Sequence, residues 1–330
     1  MRSSPGCVIA GRYRLRAVIG RGGMGVVWQA RDERLGRDVA VKELVWPDGF
    51  TADLRRAACH RASREAWIAA QVPHPNVIRV FDHVEEDGCP WIVMELLPPR
   101  SLYHHVQAVG PLSPRAAAAA GLGVLAALRA AHARGVLHLD VKPANVLLAA
   151  DRVVLTDFGI AQVDGIAPLA ADPLVGSPSY ISPERARGRE PGPAADLWGL
   201  GATLYAAVEG HGPFDRDGGA QESLSATVAD QPQLAAHAGV LWPVISGLLR
   251  KDPAARLTAA EAEPLLREAA AVRVAPLRAA APAVVSAAPA GRHAASVPRR
   301  SAPSRPAVSA GRAAATRQEI RATVPWAMAG

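Results

Sequence analysis

The chain has 330 residues, 49% hydrophobic, 20% charged and 5% aromatic. That supports a sizeable core in one or two domains and excludes a chain disordered throughout, a collagen-like repeat and a disulfide-stapled mini-protein. The net charge of +7 is unevenly placed: residues 271–330 carry nine arginines and one acid, Glu319, so residues 1–270 carry −1. A basic folded domain built around a nucleic-acid groove does not fit that distribution.

Three cysteines, Cys7, Cys59 and Cys89, show neither CxxC nor Cys/His spacing. They indicate no disulfide framework and no structural zinc, and fit a reducing cytosol. The first ten residues lack a basic-then-apolar leader. The most apolar stretch, Ala116–Leu128, lies between Arg115 and Arg129 and is too short to span a bilayer. The expectation is a cytoplasmic protein with no membrane span. Only three of the 37 basic residues are lysine: Lys42, Lys142 and Lys251. A compact ammonium, rather than a planar fork, is expected where lysine is retained.

In chain order, Tyr13–Ile19 and Val26–Ala30 read as strands joined by Gly20-Arg21-Gly22-Gly23-Met24-Gly25, and Asp38–Val45 as a third. A helix is expected over about Asp53–Gln71, stopped by Pro73, Pro75 and Asn76. Two further strands, Val77–Val84 and Trp91–Leu96, flank the turn Glu86-Asp87-Gly88. From Ser101 the pattern is mostly helical, with a long Ala-rich helix over Pro114–Arg134. Short apolar runs, Val146–Leu148 and Val153–Thr156, bracket a turn at Asp151. Further helices are expected at Ala194–Glu209, Trp242–Leu249 and Ala259–Ala270. The fold class is therefore α+β and bilobal, with a β-rich N-lobe over about 11–96 and a helical C-lobe over about 97–270. Beyond residue 270 the composition collapses to Ala, Pro, Arg, Ser and Val without periodicity, so 271–330 is expected to be a disordered tail.

The glycines of Gly20-Arg21-Gly22-Gly23-Met24-Gly25 let a backbone approach phosphate oxygens. Taken alone, an ordinary Gly-rich turn explains them equally well; a dinucleotide fold would place them at the start of a helix, whereas here they join two strands. Lys42, in Val39-Ala40-Val41-Lys42, sits in an apolar strand where an unpaired ammonium is costly. Glu65 is its candidate counter-ion, although an edge-strand lysine and a solvated carboxylate would also account for the pair. The densest cluster is His138-Leu139-Asp140-Val141-Lys142-Pro143-Ala144-Asn145 followed by Thr156-Asp157-Phe158-Gly159. Phosphoryl transfer needs a carboxylate near the hydroxyl, metal ligands and a cation beside the moving group. Asp140 suits the first role, Asn145 and Asp157 the metal, and Lys142 the cation; Asp and Asn oxygens are ligands that Mg²⁺ prefers.

These elements, in this order, match the protein-kinase signature set, and residues from about Gly11 to Ala270 resemble the bacterial Hanks-type (eukaryotic-like) serine/threonine protein kinases, of the actinobacterial sort. The resemblance implies a kinase domain over 1–270 and an enzyme that moves the ATP γ-phosphoryl group to Ser/Thr hydroxyls of proteins, itself included. It implies ATP with Mg²⁺, or Mn²⁺ in its place, as cofactors. Protein substrates and a second copy, for autophosphorylation, are the implied partners, with no nucleic acid among them. Ile19, Gly20, Arg21, Gly22, Gly23, Met24, Gly25, Val26 and Val27 would cover the nucleotide. Lys42 would hold the α- and β-phosphates while paired with Glu65, Asp140 would be the base, and Asn145 and Asp157 would bind the metal. Met94 resembles the gatekeeper, with the Glu95 carbonyl and Leu97 amide facing adenine and Ile19, Val27, Ala40 and Leu147 sandwiching the ring. Gly176–Glu184 resembles the substrate-docking segment, Glu184 is expected to pair with Arg256, and Asp196 to brace the catalytic loop.

Two positions depart from the family pattern: Leu139 stands where most members have arginine, and Ser177 where threonine is usual. The residues leave a second reading open, a pseudokinase that binds nucleotide as a scaffold. A related small-molecule phosphotransferase is disfavoured by the docking segment. The tail's Ser286, Ser296, Ser301, Ser304, Ser309, Thr316 and Thr323 are expected autophosphorylation sites, with an inert linker as the alternative.

Overall fold

Alternation of apolar side chains builds the N-terminal sheet. The computed structural model describes residues 3–22, 25–44, 51, 56, 59, 63, 70–86, 89–98, 100–158 and 178–272. Strands β1 (Val8–Ile9), β2 (Tyr13–Gly22), β3 (Gly25–Asp32), β4 (Arg37–Leu44), β5 (Val80–Glu86) and β6 (Cys89–Glu95) form one antiparallel sheet in the order β1-β2-β3-β4-β6-β5. Successive strand residues point to opposite faces. Val26, Trp28 and Ala30 on β3, Val39 and Val41 on β4, and Trp91 and Val93 on β6 therefore fill one buried cluster with Tyr13 and Leu15. The intervening residues belong to the other face: Val27 lies opposite Lys42, Ala40 opposite Met94, and Lys42 opposite Ile92. Period two thus puts Lys42 on the same face as Val27, Ala40 and Met94, away from the core.

Gly25 opens β3 where a side chain could not fit. A Cβ there would stand 2.0 Å from the Glu43 carbonyl oxygen on β4, closer than any real contact. Asp32, fully buried at the end of β3, accepts two 2.8 Å bonds from the Arg12 guanidinium. Those bonds, together with Leu35 and Arg34 amides, hold its carboxyl down at about 2 against the opposing effect of burial.

The helical part contains α1 (Leu102–Val109), α2 (Pro114–His132), α3 (Pro183–Ala186), α4 (Pro193–Glu209), α5 (Ala220–Ala229), α6 (Trp242–Leu248) and α7 (Ala259–Ala271), with a two-stranded hairpin of β7 (Val146–Leu148) and β8 (Val153–Leu155). Ser113 caps α2 by accepting the Ala116 amide, Pro114 sits at the first helical position, and Arg129 and His132 lie in the last turn. Thr258 and Glu261 close a reciprocal capping box on α7. Helix α4 is apolar almost all round, because Ala195 through Val208 are buried without interruption. It forms the centre of the C-lobe core with α2, α6 and α7.

The strand and helix expectations are largely met, with differences that have physical causes. The strand expected from Val77 starts at Val80, because residues 76–78 pair with β8 instead: Ile78 donates to the Leu155 carbonyl and Leu155 to that of Asn76, at 3.0 and 2.8 Å. Helix α5, not singled out in the sequence, begins at Ala220 after the N-cap Gly219 and has no strong apolar stripe. The helix expected over 53–71 is represented by Arg56, Cys59, Ser63 and Ala70, all helical, while Gln71 is already a turn; residues 53–55, 57–58, 60–62 and 64–69 lie outside the described ones. The described residues, 3–272, belong to one compact unit. The last helix runs one residue past the expected boundary, to Ala271, and the expected disorder of the tail falls almost wholly on residues outside the described ones. Among the described residues, no helix is long and apolar enough to cross a membrane.

Candidate active site

The expected catalytic loop, His138–Asn145, is held from below by one buried carboxylate. Asp196, in the first turn of α4, accepts the Leu139 amide at 2.6 Å through Oδ1. Its Oδ2 accepts the His138 amide at 2.9 Å and His132 Nε2 at 2.7 Å. Three donors from two segments thus converge on a group that is 1% exposed. Such a carboxylate is affordable only with this many partners. Gly199, one turn further along α4, lets the helix touch the loop: a Cβ there would stand 2.8 Å from Val141 Cβ and 2.9 Å from its carbonyl oxygen.

His138 is fully buried and ties the loop to the strand that follows. Its Nε2 faces the Thr156 carbonyl at 2.9 Å, and its Nδ1 accepts the Asp140 amide at 3.2 Å. Those partners select the neutral tautomer protonated at Nε2. Burial pushes its pKa below the ordinary histidine value, which agrees with a neutral ring. The ring also packs against Phe158, with centroids 4.7 Å apart.

Above this platform the expected chemical groups meet. Asp140 Oδ2 lies 2.8 Å from Lys142 Nζ and accepts Asn145 Nδ2 at 2.9 Å. Asn145 also donates to the Asp140 carbonyl at 2.8 Å, so its amide nitrogen is committed to the loop and its oxygen is turned away. The turn Pro143–Asn145 is 3₁₀, which gives Asn145 its inward reach. Lys42 Nζ lies 2.5 Å from Asp157 Oδ1, joining β4 to the segment after β8. Desolvation opposes ionisation of Asp157, but the Lys42 ammonium and their hydrogen bond outweigh it and hold the carboxyl below its ordinary value. Asp157 adopts a positive φ of 54°, a conformation that Asp tolerates better than most residues.

The glycine-rich segment expected as the turn between two strands is partly strand itself: β2 runs on to Gly22 and β3 starts at Gly25, so Gly20, Arg21 and Gly22 pair with Val27, Val26 and Gly25. Ile19 falls in the irregularity between Val18 and Gly20. Met94, Glu95 and Leu97 lie at the end of β6 and just after it, and Leu147 on β7 bridges Ser101. Gly23, Met24, Glu65, Gly159 and Ser177 lie outside the described residues. The Lys42–Glu65 pairing is therefore not described, while the Lys42–Asp157 contact is.

Sequence reading missed three contributors. His132, six residues before His138, could have been noticed only as a polar residue closing an Ala-rich helix. Arg152 Nη2 reaches Glu95 Oε2 at 2.6 Å, and the Arg79 amide reaches Oε1 at 3.0 Å, which fixes the end of β6. Arg185, directly after the docking segment, donates from Nη1 to the Leu139 carbonyl. The expected Glu184–Arg256 pair is present and bidentate, at 2.8 and 3.0 Å.

Among the described residues, no three His, Cys, Asp or Glu side chains gather as a self-sufficient metal site. Mg²⁺ needs none, since it takes one or two protein ligands with substrate phosphates and water. The Asn145 amide oxygen and the Asp157 carboxylate fit that requirement.

Comparison with known proteins agrees with this geometry. The family model for the protein kinase domain matches residues 13–264. The chain belongs to the protein kinase family. It is 36% identical over 262 residues to the serine/threonine-protein kinase PkaA of Streptomyces coelicolor, covering 74% of this chain and 47% of that one. It is 41% identical over 220 residues to PknA of Mycobacterium tuberculosis, another serine/threonine-protein kinase, covering 64% and 50%. The probable kinase PknB of Bifidobacterium longum is 38% identical over 232 residues, covering 65% and 32%. This kinase chain spans about half or less of the length of these curated relatives.

Proposed function

We propose that the chain is an active serine/threonine protein kinase that transfers the γ-phosphoryl group of ATP to protein hydroxyls, its own among them. The observation that carries this reading is the placement of Asp140: its carboxylate sits on a rigid loop, 40% exposed, flanked by Lys142 and Asn145. An acceptor so placed can orient a hydroxyl and receive its proton, while Lys142 lies beside the oxygen that attacks. Lys42 stands on the face of the sheet turned away from its core, where it can hold phosphate oxygens. Asn145 and Asp157 would hold Mg²⁺, which supplies the neutralising charge for the triphosphate. Relatives named as serine/threonine kinases support the hydroxyl specificity, as does Lys142 two residues after Asp140. Cys7, whose sulfur meets the Ser4 hydroxyl rather than another cysteine, supports a reducing, cytoplasmic setting.

Asp140→Asn keeps size and most hydrogen bonding but cannot take a proton. Phosphate incorporation from labelled ATP with Mg²⁺ should fall by about 10²–10⁴-fold, at an unchanged thermal midpoint. A parent protein as inert as this variant would instead mark a nucleotide-binding scaffold.

We further propose that activation does not rest on phosphorylation of the activation loop. A phosphorylated loop needs a cation to pair with. Position 139 is a leucine, 8% exposed, and residues 160–175 contain no serine, threonine or tyrosine. Packing of Leu139 against Leu169 or Leu174, the arrangement suggested by the sequence, concerns residues outside the described ones. Phosphatase-treated and untreated protein should phosphorylate a generic substrate at the same initial rate. A loss that preincubation with ATP restores would contradict this.

A further inference from the structure

The catalytic loop lacks the usual cation at position 139, yet a cation from another element reaches its backbone at that residue. Leu139 adopts φ 61°, a left-handed conformation that crowds the Cβ of a residue such as leucine. A strained peptide persists only when its surroundings over-determine it. Here its amide is tied to Asp196, and the next amide, that of Asp140, to His138 Nδ1. Its carbonyl is the third tether, and the donor is Arg185 Nη1.

Arg185 is itself anchored. It follows Glu184, whose carboxylate is clamped by the buried Arg256 guanidinium, so the backbone from which Arg185 extends is fixed. Its side chain lies in the field of Asp140, Asp196 and Glu184. Arginine's rigid fork suits one-directional donation to a carbonyl from such a base.

We propose that Arg185 is a positioning residue for phosphoryl transfer, holding the Leu139 carbonyl and thereby the peptide that presents Asp140. This rests on the kinase reading above. It also links the docking segment to the catalytic loop, because Arg185 directly follows the first and bonds the second. Arg185 takes no part in the chemistry and should not alter nucleotide binding.

The test compares Arg185→Met and Arg185→Lys with the parent in steady-state turnover and in hydrogen exchange of peptides covering 136–145. For Arg185→Met, kcat should fall about 10–100-fold, the range that a small misplacement of a catalytic group produces. KM for ATP should stay within about twofold, and exchange across 136–145 should accelerate. Arg185→Lys should recover part of both losses. Parent-like exchange in Arg185→Met overturns the inference even if turnover falls, and so does parent-like turnover with faster exchange. If Arg185→Met does not fold, Arg185→Lys is judged by the same two measurements. A parent without turnover would defeat the kinase reading instead, and the exchange comparison would then decide the inference alone.

Discussion

Arg256→Ala should destabilise the domain by about 3–5 kcal/mol, the cost of leaving one member of a buried ion pair without its partner. Arg256 and Glu184 are 3% and 5% exposed, and the guanidinium makes both bonds of a fork-to-carboxylate pair. Arg256 also donates to the Ala194 and Arg250 carbonyls and lies over the Trp198 ring at 5.1 Å. Its removal therefore exposes several acceptors at once. Against a typical total of about 5–15 kcal/mol, this is a third or more of the stability.

The pH dependence gives the loss a sign. In the parent, desolvation favours the neutral Glu184, but the Arg256 bonds outweigh it and hold the carboxyl below its ordinary 4.5. That contribution is present above pH 4.5 and is lost as the pH falls through the depressed folded value. In the variant burial is opposed only by local hydrogen bonds around Glu184, so the folded-state pKa rises and acidification relieves the cost. The stability gap between parent and variant should thus shrink from pH 7 toward pH 4. Denaturant midpoints measured across that range would show it, and a constant gap would assign the effect to packing on Trp198 alone.

Lys42→Arg should abolish most turnover, by about 10²-fold or more, although the charge is conserved. Lys42 is 11% exposed at its side chain, and its ammonium meets the Asp157 carboxylate from the face of β4 turned away from the sheet's core. Val27 and Ile92 flank it on the neighbouring strands. A planar guanidinium is wider than an ammonium and cannot occupy the same space without moving Asp157. Displacement of a group by about 1 Å is sufficient for a loss of this size. The labelled-ATP assay used for Asp140→Asn measures it, together with a thermal midpoint close to that of the parent. Near-parental turnover in Lys42→Arg would remove Lys42 from the phosphate-binding role.

Local pattern carried much of this molecule. The period-two alternation of β3, β4 and β6 determined which side chains enter the core, and hence that Lys42 faces away from it. Ser113-Pro114 and Thr258-x-x-Glu261 marked two helix starts, because capping chemistry acts within one turn. The order of Gly20–Gly25, Lys42, Asp140–Asn145 and Asp157 sufficed to indicate the chemistry, since each motif is a short run with its own spacing.

What only the tertiary structure decided involves partners far apart in the chain. The strand expected at Val77 was displaced because residues 76–78 found β8, whose pairing leaves no trace in local periodicity. Arg152 on Glu95 and His132 on Asp196 join residues 57 and 64 positions apart. The bond from Arg185 to Leu139 spans 46 positions, and nothing in the sequence marks that arginine from the others in its neighbourhood. Hydrogen bonds of this kind depend on where packed helices place a side chain's end, which propensity and alternation do not specify. The sequence by itself determined which groups are present and which face of each element they occupy. The packing of α3 and α4 beneath the catalytic loop decided how Leu139 and Asp140 are held, because a buried, strained peptide is stable only when donors and acceptors from other elements reach it.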